Sequence, residues 1–138
     1  MTARKLVFLF YAAFGVGLLA NGLWMLISPF TWYTQLPAGV PDTGPINFHF
    51  VHDIGVMFAV AGFGAMWCAK NLGRCGPVHL CVTGLVAGHA LVHVAELISG
   101  HLPSSHWLID APLTFGPALI LLALTPSIMR GEWGERAQ

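Results

Sequence analysis

Charge is what this sequence has least of. Only 9% of its 138 residues are Asp, Glu, Lys or Arg, whereas a soluble domain carries about a quarter. So few charges leave a water-facing surface uncovered, but a lipid-facing surface needs none. The formal net charge is zero and no basic stripe or charge block occurs, which argues against nucleic acid binding. Cysteine is also scarce. Cys68, Cys75 and Cys81 are odd in number and contain no C-x-x-C pair, so no disulfide framework is expected and the thiols read as small apolar fillers. No internal repeat or low-complexity segment divides the chain, and its length suits one domain over residues 1–138.

Apolar residues are abundant: 56% of the chain is hydrophobic, and the mean hydropathy is +0.71. A membrane-spanning helix needs roughly 20 predominantly apolar residues, and four segments meet that length. The first runs from about Lys5 to Ile27 and stops at Ser28-Pro29. Arg4 and Lys5 followed by an apolar run resemble a signal peptide, but the run is too long and Trp24-Met25 replace a small-residue cleavage site. The second runs from about Asn47 to Ala69, and the third from Pro77 to about Ser99-Gly100. The fourth runs from about Ala111 to Met129 and contains Pro117 and Pro126, which neighbouring helices can accommodate in a membrane. The expected fold is therefore all-α: an integral membrane four-helix bundle with a long outer loop between the first two spans.

The basic residues set an orientation. Arg4 and Lys5 flank the first span, Lys70 and Arg74 lie in the second connection, and Arg130 and Arg136 lie in the tail. The first and third connections contain no Lys or Arg. By the positive-inside rule both termini are cytoplasmic, N-in and C-in, as expected of a multi-pass protein of the bacterial inner membrane. Trp32, Tyr33 and Trp107 would anchor the outer interface, and Trp67 and Trp133 the inner one. The lipid bilayer is the main expected partner, with a larger membrane complex or a homo-oligomer as a further one. The Gly84-x-x-x-Gly88 step is a candidate helix contact, and Gly15, Gly22, Gly55, Gly62 and Gly64 offer other points of close approach. The first outer connection, Ser28 to Ile46, is long and stiffened by Pro37, Pro41 and Pro45. Its aromatic content predicts that it folds back over the outer end. Its Asp42-Thr43-Gly44 triplet reads as a turn.

Against this apolar background, ionisable residues inside the spans mark a functional site. The second span carries His49, His52 and Asp53, and the third carries His89, His93 and Glu96. Residues three and four apart share a helix face, so each span presents an imidazole-and-carboxylate stripe. At ~1.5 Å per residue, Asp53 and His93 each lie ~9 Å below the outer end, and the stripes overlap in depth. His101, His106 and Asp110 fall in the second outer connection, where solvated histidines are expected. Asn21 and Thr114 are candidate hydrogen-bond partners of the site. Only His79 lies near the inner end.

Neutral imidazole and carboxylate are ligands for zinc, copper, iron or manganese. The first expectation is a transition-metal centre, copper, zinc or iron, held by His49, Asp53, His89, His93 and Glu96. With an open ligand position it would activate water or oxygen, as in an oxidoreductase or hydrolase. The second is haem b held by one histidine from each span, His52 or His49 with His93 or His89, in an electron-transfer or quinone-linked subunit. The third is an accessory subunit whose His/Asp/Glu chain relays protons or hands over a metal. In length and four-span layout the chain resembles the broad DoxX-like group of small bacterial membrane proteins, a likeness of layout that implies no function.

Overall fold

The computed structural model describes residues 1–134 and is helical throughout, with no strand among the described residues. Four helices are long and apolar enough to cross a membrane: Ala3–Ile27, Phe48–Lys70, Gly76–Ser99 and the continuous stretch His106–Met129. They suggest a multi-pass membrane protein. The basic residue Arg136 lies outside the described residues.

Helix α1 (Ala3–Ile27) begins where the Thr2 hydroxyl accepts the Lys5 N–H. It ends at Ser28, ahead of a Pro at the first position of α2 (Pro29–Gln35), where proline lacks only a donor that would be unpaired anyway. A 3₁₀ turn follows at Val40–Thr43. Helix α3 (Phe48–Lys70) is capped by the Asn47 side chain on the Phe50 N–H. A short turn braced by Arg74 on the Asn71 side chain leads into α4 (Gly76–Ser99). The long loop and the 100–105 connection thus sit at one end of the bundle, the loop end. The start of α1, the 71–75 turn and residues 130–134 sit at the other, the terminal end.

The first connection carries both α2 and the 3₁₀ turn. It does fold back. The Trp32 indole donates to Asn21 on α1, and the Trp24 indole donates to Thr31 on α2. Tyr33 then donates to the Gly44 carbonyl beyond the turn. The fourth long helix starts earlier than expected. Helix α5 (His106–Asp110) passes through a π turn at Ala111–Phe115 into α6 (Gly116–Met129). Pro112 and Pro117 explain the turn, because each removes a helical N–H and crowds the carbonyl four residues back. The Gly116 N–H accordingly reaches the carbonyl of Ala111, five residues earlier.

Helices α1 and α3 pack backbone to backbone. A methyl group at Gly22 would lie 2.6 Å from the Gly55 carbonyl oxygen, and one at Gly15 would lie 2.8 Å from that of Gly62. On each helix the two glycines lie seven residues apart, two helical turns, so one seam zips the helices together. The expected Gly84/Gly88 contact is absent: nothing lies within 4 Å of a methyl group at either position. These two glycines face away from the bundle, so close packing comes from the α1–α3 seam instead.

The apolar core gathers towards the terminal end, around Val7, Tyr11, Ala65, Cys68, Leu72, Cys75, Val82 and Leu121. Cys68 and Cys75 are completely buried and unpaired, as filler thiols are. Burial pushes the Cys75 thiol above its ordinary value, so it stays protonated.

Candidate functional site

The buried polar groups of the described residues form two separate sets. At the terminal end, His79 is fully buried. Its Nδ1 lies 2.6 Å from the Tyr11 hydroxyl and its Nε2 lies 2.8 Å from the Thr125 hydroxyl. Thr125 itself donates to the Leu121 carbonyl. Its oxygen therefore accepts from His79 Nε2–H, and Nδ1 accepts from Tyr11. Three helices are tied by one neutral imidazole whose two nitrogens are both satisfied.

At the loop end the partners are carboxylates. Asp110, with a side chain only 2% exposed, places one carboxylate oxygen 2.8 Å from His93 Nδ1. The same oxygen lies 3.5 Å from Nδ1 of His106, one helical turn earlier on α5. His106 is completely buried, and its Nε2 lies 3.1 Å from a carboxylate oxygen of Asp42 in the 3₁₀ turn. The His89 ring packs edge-on against His93, 4.6 Å between centroids, and against Phe58 of α3 at 5.7 Å. The order Asp42, His106, Asp110, His93, His89 thus runs from a half-exposed loop carboxylate into a helical span.

Protons in this chain can be counted. A carboxylate only accepts, so His93 Nδ1–H donates to Asp110 and His106 Nε2–H donates to Asp42. A neutral His106 then has a lone pair on Nδ1, facing the Asp110 oxygen. That nitrogen is the one buried side-chain polar atom without a hydrogen-bond partner among the described residues. An orphaned group in so closed a site asks for an explanation. One further proton, on His106 or on Asp110, completes the set.

The residues expected from sequence are divided by the structure. His89 and His93 are brought together, and His93 is bonded. Its carboxylate, however, is Asp110 from the next long helix rather than Asp53. His49 and Asp53 form their own pair at 3.5 Å, with side chains 89% and 56% exposed on α3. His52 and Glu96 are part-buried on α3 and α4. Among the described residues no three or more His, Cys, Asp or Glu side chains converge so as to hold a metal ion. His101 is exposed and meets the Ser99 hydroxyl, as expected of a loop histidine. His106 is not solvated but buried. Asn21 meets Trp32 and Met25 rather than the histidines.

Sequence reasoning placed His106 and Asp110 in the loop above the site and read Asp42 only as part of a turn. The missed signal was the i, i+4 spacing of His106 and Asp110 directly ahead of the fourth apolar run, the same spacing that marked His89 and His93. The Asp42–His106 contact spans 64 residues of chain, and no local pattern encodes it. No family model, curated protein or solved structure matches this chain.

Proposed function

We propose that this chain is an accessory subunit of the bacterial inner membrane, N-in and C-in, whose loop-end centre relays protons between the outer surface and the membrane interior. The supporting observation is one carboxylate placed between two imidazoles: the Asp110 oxygen 2.8 Å from His93 Nδ1 and 3.5 Å from His106 Nδ1. His106 and Asp42 extend this arrangement to the exposed loop. Each member both takes and gives a proton, and neighbours are within reach or one small movement from it. Such chains are what intramembrane histidines and carboxylates build in proton-handling proteins. Orientation rests on the basic residues: Arg4, Lys5, Lys70, Arg74 and Arg130 all belong to the terminal end. A periplasm-specific reporter is expected to work at Ser104 and fail at Gly73.

The relay is tested by side-chain ¹⁵N NMR of histidine-labelled protein in lipid nanodiscs. If Asp110 links the two rings, His106→Gln is expected to move the ring ¹⁵N resonances of His93, and Asp110→Asn to abolish that effect. His93 resonances that are the same with and without His106 remove the relay.

A metal reading keeps one specific support. His93 commits Nδ1 to a carboxylate and leaves Nε2 open, as in imidazoles that bind metals, and His89 stands beside it. Copper, zinc or iron held there would need further ligands from water, substrate or another subunit. Metal analysis and an absorption spectrum of the purified protein decide the matter. Stoichiometric metal that is lost in His93→Ala favours this reading. A Soret band favours haem b held by His52 and His93 instead.

A further inference from the structure

We propose that His106 is a proton-operated latch that holds the outer loop closed over the loop end of the bundle. This rests on the relay reading only for its trigger; the latch itself is built from Asp42, His106 and the turn between them. The 3₁₀ turn Val40–Thr43 is carried between two glycines with positive φ, Gly39 at 61° and Gly44 at 121°. An L residue rarely adopts either angle, so the turn hangs between two permissive joints. Gly39 also lies flat on the imidazole: a methyl group there would come within 2.9 Å of His106 Nε2. Behind Gly44, the chain is fixed to α2 through the Tyr33 hydroxyl. Asp42 on His106 is the polar contact that joins this turn to the fourth long helix.

That contact cannot be indifferent to protons. The titratable groups around His106 are Asp42 from the turn, Asp110 on its own helix and, beyond Asp110, His93 and His89 from α4. With both nitrogens protonated, His106 donates to Asp42 and Asp110 at once, and the turn is clamped. With one proton it can serve only one carboxylate. The Nε2–H tautomer keeps Asp42 but sets a lone pair against Asp110 in a buried site, which is costly. The Nδ1–H tautomer serves Asp110 and releases Asp42. A proton passed from His106 to Asp110 leaves the Asp42 bond in place, but its loss from the pair to water weakens the hold on the turn, and the loop opens as the centre empties. Closure hides the buried chain from water while it is loaded.

The test uses the full chain in liposomes, in a Cys81→Ser background, because Cys68 and Cys75 are buried. Spin labels at Val40→Cys on the turn and Leu108→Cys on the exposed face of α5 report the turn-to-helix distance. A single short distance is expected at acidic pH, with a second, longer population growing as the pH rises. Asp42→Ala should show the long population at every pH. His106→Gln should lose the pH dependence. An unchanged distribution across pH in the parent pair overturns the latch, as does an Asp42→Ala distribution identical to the parent's. A latch that opens while the His93 resonances ignore His106→Gln leaves the latch standing and removes only the relay.

Discussion

Two buried histidines, one at each end of the bundle, are satisfied in opposite ways. His79 lies among hydroxyls, which donate or accept as needed. Tyr11 gives a proton to Nδ1, Thr125 takes one from Nε2, and a neutral imidazole completes the set with no charge anywhere. His106 lies among carboxylates, which when ionised can only accept, and one of its nitrogens is left without a bond. The first centre is closed to change. It has one sensible proton arrangement, and losing or gaining a proton breaks it. The second admits at least three proton arrangements on the same set of groups. Residue type is the same in both places. Whether the neighbours can donate decides whether a buried histidine has one proton arrangement or several.

Removing Asp110 is the severest test of that contrast. Asp110→Leu keeps the apolar volume but strips the acceptor from His93 and the second carboxylate from His106. Breaking a buried pair from one side costs about 3–5 kcal/mol, read as reduced resistance to unfolding in mixed micelles. Adding His106→Leu should recover part of that loss, because an apolar pair leaves fewer orphaned groups. A loss no larger than that of Tyr11→Phe would mean that the loop-end bonds contribute no more than ordinary neutral ones.

His79→Ala should come second. It empties a fully buried ring site and strands the Tyr11 hydroxyl, a loss of about 2–3 kcal/mol. The response of the His93 resonances to His106→Gln should stay as it was, since the two centres share no residue. A change there would show that the ends communicate. Tyr11→Phe, which removes one neutral hydrogen bond and keeps the ring, should cost about 1 kcal/mol or less, as such bonds do within membranes.

The fold was legible because apolar run length is a strong, local signal. All four long helices fall within a few residues of where hydropathy puts them, apart from the early start of the last. That start was hidden by Pro103, Ser104 and Ser105, which read as loop although α5 begins immediately after them. The glycine seam was visible only as a list of glycines. Which of them meet depends on how α1 and α3 face each other, and the conspicuous Gly84/Gly88 step faces away from the bundle instead. Helical spacing grouped His89 with His93, whose rings do meet, and set Asp53 level with His93, where the structure places Asp110. Depth alone cannot tell Asp53 from Asp110, because both lie near the loop end. What separates them is the direction each faces, which is set by the packing of three helices.

The smallest expected effect therefore belongs to the pair that looked strongest in the sequence. His49 and Asp53 are an i, i+4 imidazole and carboxylate on a candidate span, yet their side chains are largely exposed and face each other at 3.5 Å. An exposed pair gains little from its partner, because solvent and headgroups compete for both groups and ordering two side chains costs entropy. His49→Ala and Asp53→Asn, singly or together, should leave unfolding resistance, the coupling of His93 with His106 and the spin-label distances unchanged within error. The double variant is the informative one, because it cannot strand a charge. Loss of a stoichiometric metal in that variant, with the fold intact, would turn the comparison around: the exposed stripe on α3 would be the working centre, and the buried chain behind His93 would be its support.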